Sequence, residues 1–128
     1  MDTLDIKCAK KAKEFVTNLP EILKKDKNKI ENLLTKSLGI LQENGVYALF
    51  LWLESKSKKD ERNKKPEAMI QDLCKDLLLE LRFIENGDIF DAITKLAENL
   101  EKLILTKKLI EQTLTYALYH TKAIEEQK

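Results

Sequence analysis

The sequence predicts an all-α fold, a compact single-domain bundle of about five to six helices over residues 1–128. Three observations lead there. Only 3 Gly and 2 Pro punctuate the 128 residues, which favours long helices and few turns. Apolar residues recur at spacings of three and four, and nowhere do β-branched and aromatic residues alternate with polar ones as a half-buried strand requires. A hydrophobic content of 43% beside a charged content of 35% suits a real core under a heavily charged surface, and the length favours one domain.

The elements follow in order. A first helix starts near Asp2 or Thr3, either able to accept hydrogen bonds from free first-turn amides, and buries Leu4, Cys8, Ala12, Phe15 and Val16. It ends at Asn18 to Pro20, because Pro disfavours helical geometry in the residue before it. Glu21 to Lys29 has room for a short turn of helix. A second helix runs from about Asn28 to Asn44 on the stripe Ile30, Leu33, Leu34, Leu38 and Leu41. Gly39 inside it costs roughly 1 kcal/mol relative to Ala, and close approach of a neighbouring backbone is the expected reason. Asn44-Gly45 stops the helix, since Gly takes a left-handed backbone without steric cost.

Val46 to Leu53 carries no charge and holds the single Trp, Trp52, so it is read as the most buried element or as an interface. Residues 56–65, KSKKDERNKK, contain six bases and two acids, +4 by count. They read as a solvated loop, or as one that orders on a phosphate backbone. Pro66 suits the first turn of a fourth helix, which buries Met69, Ile70, Leu73, Cys74, Leu77, Leu78, Leu81 and Ile84 before Asn86-Gly87 stops it. Its outer side is acidic, with Glu67, Asp72, Asp76 and Glu80, and should repel nucleic acid. Asp88 caps a short fifth helix through Ile89, Phe90, Ile93, Leu96 and Ala97. The last helix runs from about Leu100 to Glu126 on a stripe of Leu100, Leu103, Ile110, Leu114, Ala117, Leu118 and Thr121.

Charge and motif content narrow the function. Lys and Arg total 23 against 22 Asp and Glu, so a net charge of +1 gives no global pull on nucleic acid, and any such binding rests on local patches. The three glycines are isolated and form no phosphate loop. His120 is the single His, with no nearby Arg to make a helical ribonuclease pair and no Cys partner for nucleophilic catalysis. Cys8 and Cys74 read as small buried hydrophobes, and two Cys with one His make no four-ligand zinc site. No enzyme, no cofactor and no small-molecule substrate are expected. The opening MDTLDIK lacks an apolar signal core and no stretch reaches membrane-spanning length, so a cytoplasmic protein with no membrane partner is expected.

What remains is a binding module. Lys7, Lys10 and Lys13 stand opposite the apolar face of the first helix, as a solvated face or as a ridge that meets phosphates. On the last helix Lys108, Gln112, Thr115, Tyr119 and Lys122 point one way, combining cations with an aromatic ring on which a base can stack. A second apolar strip there, Leu105, Leu109, Tyr116 and Ala123, reads either as wide burial or, with Trp52, as a protein interface.

Three segments in order carry a resemblance: Ala9-Lys10-Lys11-Ala12 in the first helix, the leucine-rich helix broken by Asn44-Gly45 before an Ala/Leu/aromatic helix (Leu34 to Leu53), and Leu105-Thr106-Lys107 in the last helix. The chain resembles the small α-helical subunit of the type III-B CRISPR effector, the fifth subunit of the Cmr (RAMP-module) complex, over nearly its whole length. The resemblance implies a helical bundle without catalytic activity that stacks beside other subunits of the effector and copies of itself. It implies contact with crRNA and target RNA, whose duplex such subunits help hold; Lys107 stands where the family carries a basic residue. Family members often end in an aromatic residue followed by adjacent bases, whereas here Tyr116, Tyr119 and His120 precede the single Lys122. The equivalent small subunit of a type III-A complex and a helical adaptor that binds only protein are the alternatives.

Overall fold

A computed structural model describes residues 3–57 and 65–124. Seven helices follow in order: α1 (Thr3–Thr17), α2 (Glu21–Lys25), α3 (Lys27–Asn44), α4 (Val46–Lys56), α5 (Pro66–Glu80), α6 (Ile89–Leu96) and α7 (Leu100–Lys122). No strand occurs among the described residues, and the all-α class follows. The helix beyond the five or six expected is α2, five residues long and set off from α3 by Asp26 at φ −109° and ψ 56°. Of the charged run 56–65, residues 58–64 lie outside the described residues.

The chain reverses at Gly45, whose φ of 92° and ψ of −174° belong to a region that only glycine enters readily. Its amide donates to the Leu41 carbonyl at 3.0 Å, closing α3, while its own carbonyl accepts from the Leu49 amide at 3.1 Å, opening α4. α4 thereby folds back and buries Val46, Leu49, Phe50 and Leu53. Tyr47 and Leu51, one turn apart, remain exposed, so the helix that is apolar on nearly every side is buried on one side only. Trp52 is half-buried against the main core.

α5 ends at Glu80 rather than at Asn86-Gly87. Arg82 takes a left-handed backbone (φ 60°), its amide donates to Leu79 (3.1 Å), and the Phe83 amide reaches back to Leu78 (2.9 Å). That pair of bonds is a Schellman motif with Arg in the seat glycine usually holds. The reversal keeps Leu81 and Ile84 packed although they have left the helix. Asp88 then caps α6 by accepting from the Phe90 and Asp91 amides at 2.8 and 3.2 Å, and Asn99 caps α7 by accepting from Lys102 at 3.1 Å.

α1 and α3 both run antiparallel to α7 and flank it. Asp5 lies opposite Gln112 and Tyr116, and Cys8 opposite Leu109. On the other flank, Lys27 meets Ile124, and Gln42 meets Lys107 and Glu111. These three helices make one layer. α5 packs beneath it against α1, α3 and α7, and α4 and α6 close the far end. Close approach within the layer is helped by small polar residues. Ser37, Thr106, Thr113 and Thr121 are fully buried, and each hydroxyl donates to the carbonyl four residues earlier at 2.7–2.8 Å. No buried side-chain nitrogen or oxygen among the described residues lacks a hydrogen-bond partner.

Three expected packing roles are corrected. Leu100 is 67% exposed, because the first turn of α7 projects past the end of α3. Ala97 is exposed at the C-terminal cap of α6. A Cβ added at Gly39 meets nothing within 4 Å, so no neighbouring backbone crowds that position.

Candidate nucleic-acid interface

Because α7 is flanked on both sides and supported from below, only one ridge of it faces outward. Lys108, Tyr119 and Lys122 are exposed on that ridge, and Thr115 is half-exposed between them. Gln112, expected in the same strip, turns instead to α1 and donates to Asp5 at 3.1 Å. On α1, Lys10 and Lys13 are exposed. Lys7 is half-buried one turn before Lys11, whose ammonium reaches Glu80 of α5 at 3.5 Å, so Lys7 lies on the α5 flank. Lys107 donates to the Gln42 carbonyl at 3.3 Å, satisfying one of the carbonyls left over at the end of α3. Of the seven residues singled out for RNA, Lys10, Lys13, Lys108, Tyr119 and Lys122 are exposed, the last three along one ridge of α7, while Lys7 and Lys107 turn to structural neighbours.

The residues singled out for a protein interface sit otherwise. Leu109 is buried with Cys8 and Leu77, and Leu105 and Tyr116 pack against that cluster. The Tyr116 hydroxyl donates to Asp5 at 2.8 Å. That bond, which holds the proton on the phenol, is the main reason the Tyr116 pKa lies above its ordinary 10. Leu105, Leu109 and Tyr116 of the second apolar strip therefore form the seam of α7 with α1, whereas Ala123 is exposed at the C-terminal cap of α7. Cys8 donates to the Leu109 carbonyl at 3.5 Å across the same seam. Burial pushes the Cys74 thiol up to about 12, leaving it a neutral core side chain.

α3 adds residues that the sequence reading passed over. Lys29, Asn32 and Lys36 are exposed at spacings of three and four, opposite buried Ile30, Leu34 and Leu41. That opposition was the available signal. Together, the exposed lysines of these three helices number six (Lys10, Lys13, Lys29, Lys36, Lys108 and Lys122), in a chain whose net charge is +1. Exposed Glu43 and Glu101 lie on α3 and α7 at the end where the first turn of α7 projects. Glu14 of α1 is exposed as well, and Asp5, Glu31 and Glu111 are half-exposed on the same three helices; on α5, Asp76 and Glu80 are exposed, with Glu67 and Asp72 half-exposed.

No family model, curated protein or solved structure matches the chain.

Two concavities lie off this face. A cleft of about 540 Å³ opens between the α5–α6 turn, α6 and the start of α7. There Arg82, Lys95 and Lys102 are interleaved with Glu85, Asp88, Asp91 and Glu98, so neither sign of charge is concentrated; Lys102 lies 5.6 Å from the Phe83 ring centre. A groove of about 220 Å³ between α1 and α5 carries Glu14, Asp72 and Asp76 beside Lys11. Among the described residues no three His, Cys, Asp or Glu side chains are grouped to hold a metal ion, and no helix is long and apolar enough to cross a membrane.

Proposed function

We propose that this chain is a non-catalytic structural subunit of a type III-B CRISPR ribonucleoprotein. It stacks along the complex with other subunits and copies of itself and helps hold the crRNA–target RNA duplex in antiviral defence, in the cytoplasm and without a cofactor. The observation that supports the RNA-binding part is that α1, α3 and α7 together expose six lysines against three acids, Glu14, Glu43 and Glu101. The effector assignment rests on the order of the three segments that resemble the family. Lysines contact phosphates as mobile point charges that carry no sequence information. Base pairing between guide and target then reads the sequence, and the protein supplies charge and shape.

Purification of the tagged chain from its native host tests the proposal. The expected eluate contains CRISPR RNA and the effector's backbone subunits, whose identity also separates type III-B from type III-A. A second reading, a helical adaptor that binds only protein, is favoured by the exposed apolar side chains Tyr47, Leu51, Leu100 and Ile104. An eluate free of RNA, whose protein partners survive ribonuclease treatment, selects that reading and rejects the first.

A further inference from the structure

The chain has three tyrosines, and their surroundings differ. Tyr47 is half-exposed but its ring packs on Phe90 at 5.4 Å between centres, tilted by 59°. Tyr116 is tied to Asp5 through its hydroxyl. Tyr119, three residues further along α7, is 64% exposed and has no ring, hydrogen-bond or ion-pair partner among the described residues. Its helix neighbours are small at four residues before and after (Thr115 and Ala123) and large at three (Tyr116, tied to Asp5, and Lys122), and no ring or cation packs on it among the described residues. Lys122 stands one turn away on the same outward ridge, and Lys108 three turns back. A largely exposed aromatic ring beside cations is the arrangement on which unpaired bases stack, because every base offers a π-face and its phosphate meets the neighbouring ammonium groups.

We infer that Tyr119 is a stacking platform for an unpaired nucleobase, so that this face takes RNA with at least one base out of the helix rather than an uninterrupted duplex. The inference rests on the proposal that the exposed lysines of α1, α3 and α7 meet RNA, and it names the kind of RNA. A fully paired, blunt duplex offers Tyr119 only its end pairs, whereas a bulge or single strand offers ring faces along its length. The hydroxyl is not required, so Tyr119→Phe and Tyr119→Trp retain the function and Tyr119→Ala loses it.

The test uses the purified full chain at low salt with two RNA probes of equal length, a single strand carrying 2-aminopurine and a blunt duplex. The expected result is quenching of 2-aminopurine fluorescence by the wild-type chain and by Tyr119→Phe. Tyr119→Ala, folded by circular dichroism, should bind the single strand about tenfold more weakly or worse. Lys108→Ala with Lys122→Ala should lower the salt dependence of binding while leaving the quench at saturation unchanged. Equal affinity of Tyr119→Ala and wild type, or a preference for the blunt duplex, overturns the stacking role while the phosphate contacts stand. Absence of binding to either probe overturns both the stacking role and the RNA-facing reading beneath it.

Discussion

α7 carries two surfaces three residues apart that behave as different materials. Its seam, with Leu109, Gln112 and Tyr116, is closed by α1: an apolar cluster with Cys8 and a carboxylate that receives two hydrogen bonds. Its outer ridge, with Lys108, Tyr119 and Lys122, has no helix against it among the described residues. The residue types overlap, since each surface includes a tyrosine, and composition alone does not separate them. What separates them is whether a neighbouring helix covers that side. Substitutions in the seam should therefore read out in stability, and substitutions on the ridge in binding.

The largest expected effect is at the seam's apolar contact. Leu109→Ala should destabilise the fold by about 2–5 kcal/mol, because a buried leucine side chain leaves a cavity against Cys8 and Leu77. Denaturant midpoints measure it, and a loss below about 0.5 kcal/mol would return Leu109 to the surface. Tyr116→Phe should lower the melting temperature by less, since Gln112 still donates to Asp5. It should also alter the alkaline limb. The Tyr116 pKa is raised in the folded state, chiefly by the bond to Asp5, so its contribution is complete below pH 10 and is lost as pH rises through the raised value. The variant should lack that part of the alkaline decline.

Smaller effects sharpen the same contrast. Both cysteines are buried, and Cys74 has its thiol pushed to about 12, so neither should react with a thiol reagent at neutral pH until the chain unfolds. Prompt labelling of Cys8 in the native protein would show that the seam opens. Gly39→Ala should stabilise by roughly 1 kcal/mol, because the position is helical and a methyl group there meets nothing. Lys108→Ala and Lys122→Ala should change stability by no more than about 0.5 kcal/mol.

The fold was legible where periodicity and punctuation agreed. The stripe Ile30, Leu34 and Leu41 and the stop at Gly45 placed α3 and α4, Pro66 stands in the first turn of α5, and Asp88 caps α6. It was not legible where a residue holds a conformation its type disfavours. Arg82 in the left-handed region ends α5 before the Asn86-Gly87 signal is reached. Leu100 fits the stripe of α7 by spacing yet projects beyond its neighbours, which no local pattern records. For the candidate site, spacing grouped Lys108, Tyr119 and Lys122 correctly on one ridge. Assigning the Leu105, Leu109 and Tyr116 strip, left open between burial and a partner, needed the knowledge that α1 lies against it. Lys29 and Lys36 needed the knowledge that α3 lies on the other side of α7.

The central proposal is that the exposed lysines of α1, α3 and α7 contact RNA phosphates, and the salt dependence of RNA retention by the complex that co-purifies with the tagged chain tests it most directly. Replacing Lys10, Lys13, Lys29, Lys36, Lys108 and Lys122 with Ala should lower the slope of log affinity against log salt by roughly 0.7–0.9 for each phosphate contact removed. Replacing Asp76 and Glu80 on α5 with Ala should leave that slope unchanged. An unchanged slope in the lysine variant, or an equal change in the α5 variant, would contradict the claim.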